Sequence, residues 1–506
     1  MKKVARIIIL AYMGLLVMSC NLLDNLTGLI QSGLEKFANS PTPVVFIQTP
    51  TIEVITQDAD LHPLTNTPAP QVAVPPAETP ESNALNPDGP YILYGGKNGV
   101  WISNPDGTYL TQIFTDAFYN NFRAAVAPDG SRMALVTRDD TGYHLIIIEL
   151  PSGQQTYVVQ LLDGFGDDYE EPIDDPRLFV EQALSYIGYN TDPFSNVAWQ
   201  PGEGRLLAFV GAVNGDTTDV YIYDIQSQKI KQLTDDPSYA VMPSWSPNGA
   251  YIIYHGVGWE SPIGGALHVH NRLYGVWAID PIDGQVHSMP QPMGTYPGFV
   301  GWQDDQHYLT CDDSLLRNVD VITGWETEII PSCCYNEISQ STDNGALLLN
   351  FSLDCSEYYD EGIFYLASPF DTPRKVYDQP AWELIWIPES DVFFAYPEAL
   401  ISSDGQTVYL PPVYEGSYIP AVSTQGYQAW LVYQDRQPYV KVMVPGSEWQ
   451  TILNDSVESL IWDPIDGQRL LIIGEDGTLM AARYPSFSAQ VIGQFDGSVS
   501  EAIYVP

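Results

Sequence analysis

The side chains best suited to metal chemistry lie in two stretches of this 506-residue chain. The denser stretch, residues 163–194, opens with closely spaced carboxylates, of which the first are Asp163, Asp167, Asp168 and Glu170. Carboxylates at this density can bind Ca²⁺, but their order lacks the alternating acids and the closing glutamate of an EF-hand loop. We therefore expect a solvated acidic loop, with Ca²⁺ as the alternative and no other cofactor.

The second stretch, residues 255–273, contains three histidines: His255, His268 and His270. A His-x-His pair on a strand places two ring nitrogens on one face, where both could ligate a metal ion. No third ligand stands beside the pair in the sequence. We interpret these histidines as polar loop residues and predict no metal site here.

Five cysteines could supply thiolate or disulfide chemistry. Four of them, Cys311, Cys333, Cys334 and Cys355, predict two disulfides in an exported protein, and three pairings are possible. Because adjacent Cys333 and Cys334 could bond each other only through a strained ring, we expect each to pair with Cys311 or Cys355. A zinc site is the alternative, although no Cys-x-x-Cys pattern or nearby histidine supports it.

No residue pattern of hydrolytic catalysis stands out. The chain contains no Gly-x-Ser-x-Gly nucleophile motif. Its carboxylates are too numerous to single out a glycosidase pair, because the separation of two carboxyl groups cannot be read from sequence. The sequence therefore predicts no catalytic residue, which favours a non-enzymatic protein and leaves an enzymatic activity open.

Acidic residues dominate the charge. The chain has 63 Asp and Glu against 20 Lys and Arg, a formal net charge of −43. This balance excludes nucleic acid as a partner, since affinity for phosphates comes from basic side chains. It also repels anionic lipid, so that a membrane link would need a lipid anchor. Charged residues make up only 16% of the chain, and we interpret them as a solubilising surface.

The elements that position these side chains repeat. A strand ending in tryptophan, a turn and a second apolar strand form what we call the Trp-turn motif, whose tryptophans are Trp199, Trp245, Trp302, Trp386 and Trp462. A repeat of about 40 residues with four short strands is one blade of a β-propeller. We expect each tryptophan to pack between adjacent blades. An immunoglobulin-like array is the alternative, but such arrays lack a tryptophan repeated at this spacing.

One copy of the motif carries a family resemblance. Residues 245–249 read Trp-Ser-Pro-Asn-Gly, and residues 233–236 in front of them read Leu-Thr-Asp-Asp. The chain thereby resembles the TolB-like β-propeller family, whose repeats read Trp-Ser-Pro-Asp-Gly before an apolar strand. The resemblance covers about residues 88–506 and implies an all-β fold without implying a particular partner.

The two ends of the repeat region predict how the ring closes. Residues 499–505 form a lone strand, and residues 91–94 form a strand that lacks a first strand before it. We expect the last strand to complete the first blade and to latch a single closed propeller. Nine motif copies can be counted, and we predict eight blades within a range of seven to nine. The weak copy near Asp343 or Val422 would then merge into a neighbour.

The N-terminus resembles that of a bacterial lipoprotein. Residues 1–19 have a basic start and a short apolar core, as a secretory signal does. Residues 17–20 read Val-Met-Ser-Cys and resemble a lipobox, which implies that Cys20 is lipidated; an ordinary signal peptide is the alternative. Residues 20–40 have apolar side chains at helical spacing, which predicts a short amphipathic helix, and we expect residues 41–87 to be a Pro/Thr-rich flexible linker.

These features together predict an exported protein anchored by lipid on the extracytoplasmic side of the cell membrane. We expect a monomeric, non-enzymatic scaffold that binds a protein or peptide of the cell envelope. The alternative is a carbohydrate-binding or carbohydrate-active propeller that uses aromatic and acidic residues at the channel mouth. A Ca²⁺-binding sensor is a third hypothesis.

Overall fold

The structure is a computed structural model that describes most of the chain from residue 84 to residue 505. The signal segment, Cys20 and the segments 20–40 and 41–83 lie outside the described residues. Within the range the gaps are 87–88, 119, 121, 164–195, 215–216, 236–238, 259–271, 289–297, 312–314, 332–337, 342–344, 352–361, 388–389, 397–398, 411–416, 464 and 466.

Every regular element of the described residues is a β-strand. The strands of the first half are β1 (Tyr91–Gly96), β2 (Gly99–Ser103), β3 (Thr111–Phe114), β4 (Arg132–Asp139), β5 (Gly142–Glu149), β6 (Gln154–Asp163), β7 (Val197–Trp199), β8 (Leu206–Gly211), β9 (Asp219–Asp224), β10 (Lys229–Gln232), β11 (Tyr239–Trp245), β12 (Ile252–Gly258), β13 (Arg272–Ile279), β14 (Val286–Ser288), β15 (Gly298–Trp302), β16 (His307–Cys311), β17 (Leu315–Asp320) and β18 (Glu326–Pro331).

The second half continues the same pattern of short strands. Its members are β19 (Ile338–Gln340), β20 (Leu347–Phe351), β21 (Gly362–Leu366), β22 (Arg374–Tyr377), β23 (Glu383–Ile387), β24 (Val392–Tyr396), β25 (Ala399–Ser402), β26 (Val408–Tyr409), β27 (Ser417–Val422), β28 (Gln428–Gln434), β29 (Gln437–Met443), β30 (Gln450–Leu453), β31 (Val457–Trp462), β32 (Arg469–Gly474), β33 (Thr478–Arg483), β34 (Gln490–Gln494) and β35 (Val499–Val505).

The strands form nine antiparallel sheets, which are the blades of a propeller. Blade 1 has the order β35-β1-β2-β3, blade 2 is β4-β5-β6, and blades 3 to 9 take four consecutive strands each from β7 to β34. Blade 2 has three strands because the segment before β4 makes only the isolated bridges Phe118↔Thr137 and Val126↔Met133 with it. The other eight sheets have four strands each.

Turn chemistry explains why the chain reverses where it does. Between β11 and β12, the Gly249 amide donates to the Ser246 carbonyl at 2.8 Å, and the Asn248 side chain accepts from the Ala250 amide at 2.9 Å. Gly249 has a φ of 69°, a conformation that costs glycine little. This turn directs the chain back along the strand that ends in Trp245.

Nine hydrophobic clusters hold the ring together, and each one joins two successive blades. One of them packs Ile92 and Tyr94 of blade 1 against Leu471 and Ile473 of blade 9. Since the last blade packs on the first, the ring is closed. Apolar burial at every interface is the main stabilising contribution to such a fold.

The C-terminal strand latches the ring as the sequence predicts. β35 pairs with β1 along its whole length, from Tyr91↔Val505 to Gly96↔Val499. Through this pairing the two ends of the repeat region share one sheet. The prediction of an all-β propeller closed by its last strand is confirmed.

The propeller has nine blades, so the preference for eight is wrong. The weak copy near Asp343 forms blade 6, and the copy near Val422 forms blade 8, each with four strands of its own. Blade 8 lacks the tryptophan at the end of its first strand, but Trp430 on its second strand is fully buried. Trp430 packs against Phe394 of blade 7 at 6.2 Å between ring centroids, and thereby supplies the packing that the motif tryptophan supplies elsewhere.

The second insertion is shorter than predicted. β12 extends to Gly258, and β13 begins at Arg272. His255 therefore belongs to β12 and Leu273 to β13, and residues 259–271 connect these two strands. In the first insertion Asp163 is the last residue of β6, while Asp167, Asp168 and Glu170 lie outside the described residues.

Candidate functional site

Three of the motif tryptophans join adjacent blades by a hydrogen bond as well as by packing. The indole Nε1 of Trp199 donates to the Ala125 carbonyl at 2.7 Å, and that of Trp245 donates to the Ala198 carbonyl at 2.9 Å. Trp462 contacts the Ala421 carbonyl in the same way at 3.2 Å. In each case the acceptor belongs to the blade before.

The remaining two motif tryptophans, Trp302 and Trp386, are half-buried. Trp302 packs edge-on against Tyr308, with ring centroids 5.8 Å apart, and Trp386 lies 4.7 Å from Phe393. All five tryptophans therefore serve the packing of the ring.

The two faces of the ring differ in their loops. One face, here called the turn face, carries the third-to-fourth strand turn of every blade and the first-to-second turns of blades 3 to 9. The opposite face, here called the connection face, carries the second-to-third turns and the links between blades. The six longest gaps, from 164–195 to 411–416, all open between strand ends on the connection face. The turn face is thus the more completely described of the two.

Of the cysteine and Ca²⁺ candidates, Cys311 and Asp163 are described, and both end strands on the connection face. Cys311, the last residue of β16, is disulfide-bonded, and the other candidates Cys333, Cys334 and Cys355 lie outside the described residues. The pairing therefore stays a prediction. In the part of the chain that is described, no three His, Cys, Asp or Glu side chains are grouped so as to hold a metal ion.

His255 is a core residue and not a loop residue. It lies in the middle of β12, in register with Val241 on one side and Val276 on the other. Its ring lies 6.4 Å from that of Phe299 in blade 5. Burial lowers the pKa of His255 from 6.5 to about 4, because desolvation penalises the charged imidazolium. The ring is therefore neutral at physiological pH.

Large apolar side chains are exposed on the turn face of three consecutive blades. In the third-to-fourth strand turns, the exposed fractions are 86% for Ile282 of blade 4, 50% for Ile322 and 77% for Trp325 of blade 5, and 58% for Phe370 of blade 6. We call these four side chains the apolar turn surface. The equivalent turns of blades 2, 3 and 7 expose polar side chains instead, among them Gln226 and Asp404.

Local hydrogen bonds explain why two of these isoleucines point outward. The Asp280 carboxylate accepts from the Ile282 amide at 2.7 Å, and the Asp320 carboxylate accepts from the Ile322 amide at 3.0 Å. An aspartate that binds the amide two residues on is an Asx turn. The turn fixes the backbone and leaves each isoleucine side chain on the solvent side, at a position that packing does not require.

Carboxylates surround the apolar turn surface. In blade 5 the first-to-second turn lies beside the third-to-fourth turn, since the Val321 amide donates to the Gln306 carbonyl at 2.8 Å. Between the two turns, the His307 ring contacts Asp304 at 2.9 Å and Asp320 at 3.6 Å. Acidic side chains therefore line the edge of the turn that carries Ile322 and Trp325.

Hydrogen bonds keep these two carboxylates ionised. Partial burial raises the pKa of Asp304, but amide hydrogen bonds from Gln306 and His307 outweigh burial and hold that pKa below its ordinary value. The amide and hydroxyl of Thr323 are the main causes that lower the pKa of Asp320. A carboxylate that accepts several N–H bonds is stabilised in its charged form.

The basic side chains nearest to this surface have local partners. Lys231 of blade 3 donates from Nζ to the carbonyls of Pro281 and Ile282 at 3.1 Å and 2.6 Å. Arg317 lies 3.4 Å from Glu326. Together with the acids around them, these contacts leave the surface acidic at its rim and apolar at its centre.

A second exposed tryptophan lies on the connection face. Trp382, at the start of the first strand of blade 7, is 80% exposed. The chain there is fixed by the buried Asn350 side chain, which bonds the Ala381 carbonyl at 2.7 Å and its amide at 2.9 Å. The Trp382 ring contacts Tyr396 at 6.0 Å between centroids.

Sequence reasoning missed Trp325 and Trp382 because neither belongs to a Trp-turn motif. The only sequence signal was their position. Trp325 follows Gly324 just before an outer strand. Trp382 lies just before the first strand of its blade, whereas the motif places its tryptophan at the end of that strand. Both side chains are largely exposed, so blade packing does not account for them.

Known proteins resemble this chain in sequence only over a short segment. No protein-family model matches the chain. A 64-residue segment is 38% identical to the uncharacterized peptidase YuxL of Bacillus subtilis (strain 168), and it covers 13% of this chain and 9% of that protein. In the part of the chain that the structure describes, no helix is long and apolar enough to cross a membrane.

Solved structures similar to this chain are distant. The dihydro-heme d1 dehydrogenase NirN is 9% identical with a TM-score of 0.45, over 85% of this chain and 78% of that one. Dipeptidyl peptidase 4 of Porphyromonas gingivalis is 9% identical with a TM-score of 0.43, over 81% and 59%. TolB from Acinetobacter baumannii is 13% identical with a TM-score of 0.27, over 82% and 83%. Scores this low carry no argument about activity.

Proposed function

We infer that this chain is a non-enzymatic, membrane-anchored propeller of the cell envelope that binds a protein or peptide on its turn face. The apolar turn surface is the single observation that carries this proposal. Four large apolar side chains, two of them aromatic, are exposed in equivalent turns of consecutive blades. Clustered exposed apolar groups mark interaction sites, whereas single ones are ordinary.

The composition of this surface suits a protein interface. Trp and Phe are enriched where protein partners meet, and tryptophan is the residue whose truncation most often weakens binding. Among the described residues of the turn face, Trp325 is the most exposed aromatic side chain, and it lies in the middle blade of the three. We assign it the role of central anchor.

The N-terminal sequence supports the anchored location. A lipid on Cys20 would hold the ring at the extracytoplasmic side of the membrane, and residues 41–87 would serve as a linker. Replacement of Cys20 by alanine is expected to release the protein from the membrane fraction. Retention of the Cys20→Ala variant in that fraction after a salt and carbonate wash would contradict the lipid anchor.

Affinity capture tests the binding role. The tagged full-length chain is recovered from detergent-solubilised envelope after mild cross-linking, beside the double variant Trp325→Ala/Phe370→Ala. We expect at least one protein that the wild type retains and the double variant loses. Trp382→Ala, which removes an exposed tryptophan from the other face, is the matched control and should retain it. Equal recovery with all three chains contradicts binding through the turn face.

A further inference from the structure

We propose that the partner of the apolar turn surface is a cationic polypeptide segment, in which apolar side chains are flanked by lysine or arginine. This inference rests on the proposed function and adds the chemistry of the partner to it. Its basis is the combination of an apolar centre with an acidic rim on the turn face of blades 4, 5 and 6.

The acidic rim follows the apolar side chains from blade to blade. Each exposed apolar residue has a carboxylate in the same turn: Asp280 and Asp283 flank Ile282, Asp320 precedes Ile322, and Asp371 follows Phe370. The neighbouring turn of blade 5 adds two exposed aspartates, Asp304 and Asp305. A partner that covers the apolar centre must therefore bring its own rim against these carboxylates.

Positive charge near the surface is already engaged. Lys231 reaches backbone carbonyls of the blade 4 turn, and Arg317 lies 3.4 Å from Glu326. In blade 6, Lys375 contacts Asp378 at 3.2 Å, and Arg374 donates to the Gly405 carbonyl at 3.0 Å. Bonds to carbonyls do not neutralise Lys231 and Arg374, but the six aspartates named above outnumber them, so the rim keeps a net negative charge that attracts basic side chains from outside.

Charge complementarity then selects the class of partner. Opposite charges across a rim steer association, and like charges in the same place disfavour a wrong partner. An acidic segment, an anionic lipid surface or a nucleic acid would meet repulsion from a chain whose net charge is −43. A basic segment gains attraction at the rim and burial of apolar area against Trp325.

Three synthetic peptides of equal length test this chemistry on the full-length protein. The first combines leucine with lysine, the second combines leucine with glutamate, and the third combines leucine with serine. Fluorescence anisotropy gives the dissociation constant of each. We expect the lysine peptide to bind most tightly, and its affinity to fall about ten-fold or more between about 0.05 M and about 0.5 M salt.

Variants locate the binding and separate it from the general attraction of an acidic protein. We expect Trp325→Ala to weaken the lysine peptide about ten-fold or more, as loss of a central anchor does, and Trp382→Ala to leave it unchanged. Asp283→Asn combined with Asp371→Asn should weaken it several-fold. Asp435→Asn combined with Asp455→Asn, which removes two exposed carboxylates from the connection face, should not.

The outcomes distinguish this inference from the proposed function. If the serine or glutamate peptide binds as tightly as the lysine peptide and still depends on Trp325, the surface binds peptides but does not select positive charge, and the inference is overturned. If the lysine peptide binds equally well to the Trp325→Ala variant, the attraction is not localised at this surface, which overturns the inference as well. Capture from the envelope tests the proposed function independently of all three peptides.

Discussion

Tryptophan occupies two kinds of position in this ring. Trp199, Trp245 and Trp462 lie at the ends of first strands, where each buries its ring and bonds the preceding blade. Trp325 and Trp382 lie outside the repeat register and remain exposed. Register alone does not decide burial, since Trp430 is buried outside the motif; it is their exposure that leaves Trp325 and Trp382 accessible to a partner.

The indole hydrogen bond is a measurable part of blade packing. We expect Trp245→Phe to lower the free energy of unfolding by about 0.5–1.5 kcal/mol beyond the loss of ring area, because the half-buried Ala198 carbonyl loses its donor. Trp302→Phe is the matched control, since its indole N–H has no acceptor among the described residues. Denaturant titration of both variants measures the difference, and equal losses would contradict the role of the hydrogen bond.

His255 predicts a pH dependence of stability. Its pKa is lowered from 6.5 to about 4 in the folded protein, so the unfolded chain takes up the proton first as the pH falls. The contribution of neutral His255 to the free energy of unfolding is therefore fully present above about pH 6.5. It is lost as the pH falls toward 4, and the loss over the whole range is roughly 3 kcal/mol. Unfolding free energies at about pH 7.5 and about pH 5 should reveal most of this loss.

The variant His255→Gln should have a flatter profile between these two pH values, whatever its absolute stability. Phe299→Leu loosens the same ring contact without removing a titratable group, and we expect it to lower stability at both pH values while keeping the slope. A wild-type slope that persists in His255→Gln would assign the pH dependence to other groups.

At the scale of the element, sequence patterns predict the strands well and the number of blades less well. Closure by residues 499–505 followed from a strand without a partner at each end of the repeat. The number of blades could not be predicted in the same way, because blades 6 and 8 lack the motif tryptophan. In blade 8 the replacement, Trp430, comes from the second strand, and such compensation in packing leaves no fixed spacing to read.

The candidate surface was harder still to predict from sequence. The exposure of Ile282 and Ile322 depends on Asx turns that fix the backbone of two particular connections. A sequence shows the aspartate and the isoleucine but not which side of the turn faces solvent. It likewise could not show that turns with exposed apolar side chains would lie in three consecutive blades on one face.

The latch strand β35 should control the stability of the whole ring. Ile503 pairs with Leu93 and is buried, so we expect Ile503→Ala to cost about 2–5 kcal/mol. The control is Val491→Ala on the outer strand of blade 9, where the side chain is 68% exposed and the expected change is within about 0.5 kcal/mol. Comparable effects of the two substitutions on the denaturant midpoint would contradict a closed ring.

At the scale of the whole molecule, a closed ring leaves few apolar groups for other purposes. Nine interfaces take up the apolar faces of the blades, and the outer surface is strongly acidic. Exposed apolar side chains also occur elsewhere, among them Trp382 and Val491, but the apolar turn surface places four of them in equivalent turns of three consecutive blades. A partner bound to blades 4, 5 and 6 would account for the exposure of this surface, and the rest of the ring would serve as a rigid support.

Site-specific photo-cross-linking in the intact cell envelope tests this claim most directly. A photoreactive amino acid replaces Ile322 in the apolar turn surface or, as the control, the exposed Gln226 in the equivalent turn of blade 3. We predict a discrete cross-linked product from position 322 that is absent from position 226 and disappears when Trp325→Ala is added. The same products from both positions, or none from position 322, would contradict a protein-binding role for this surface.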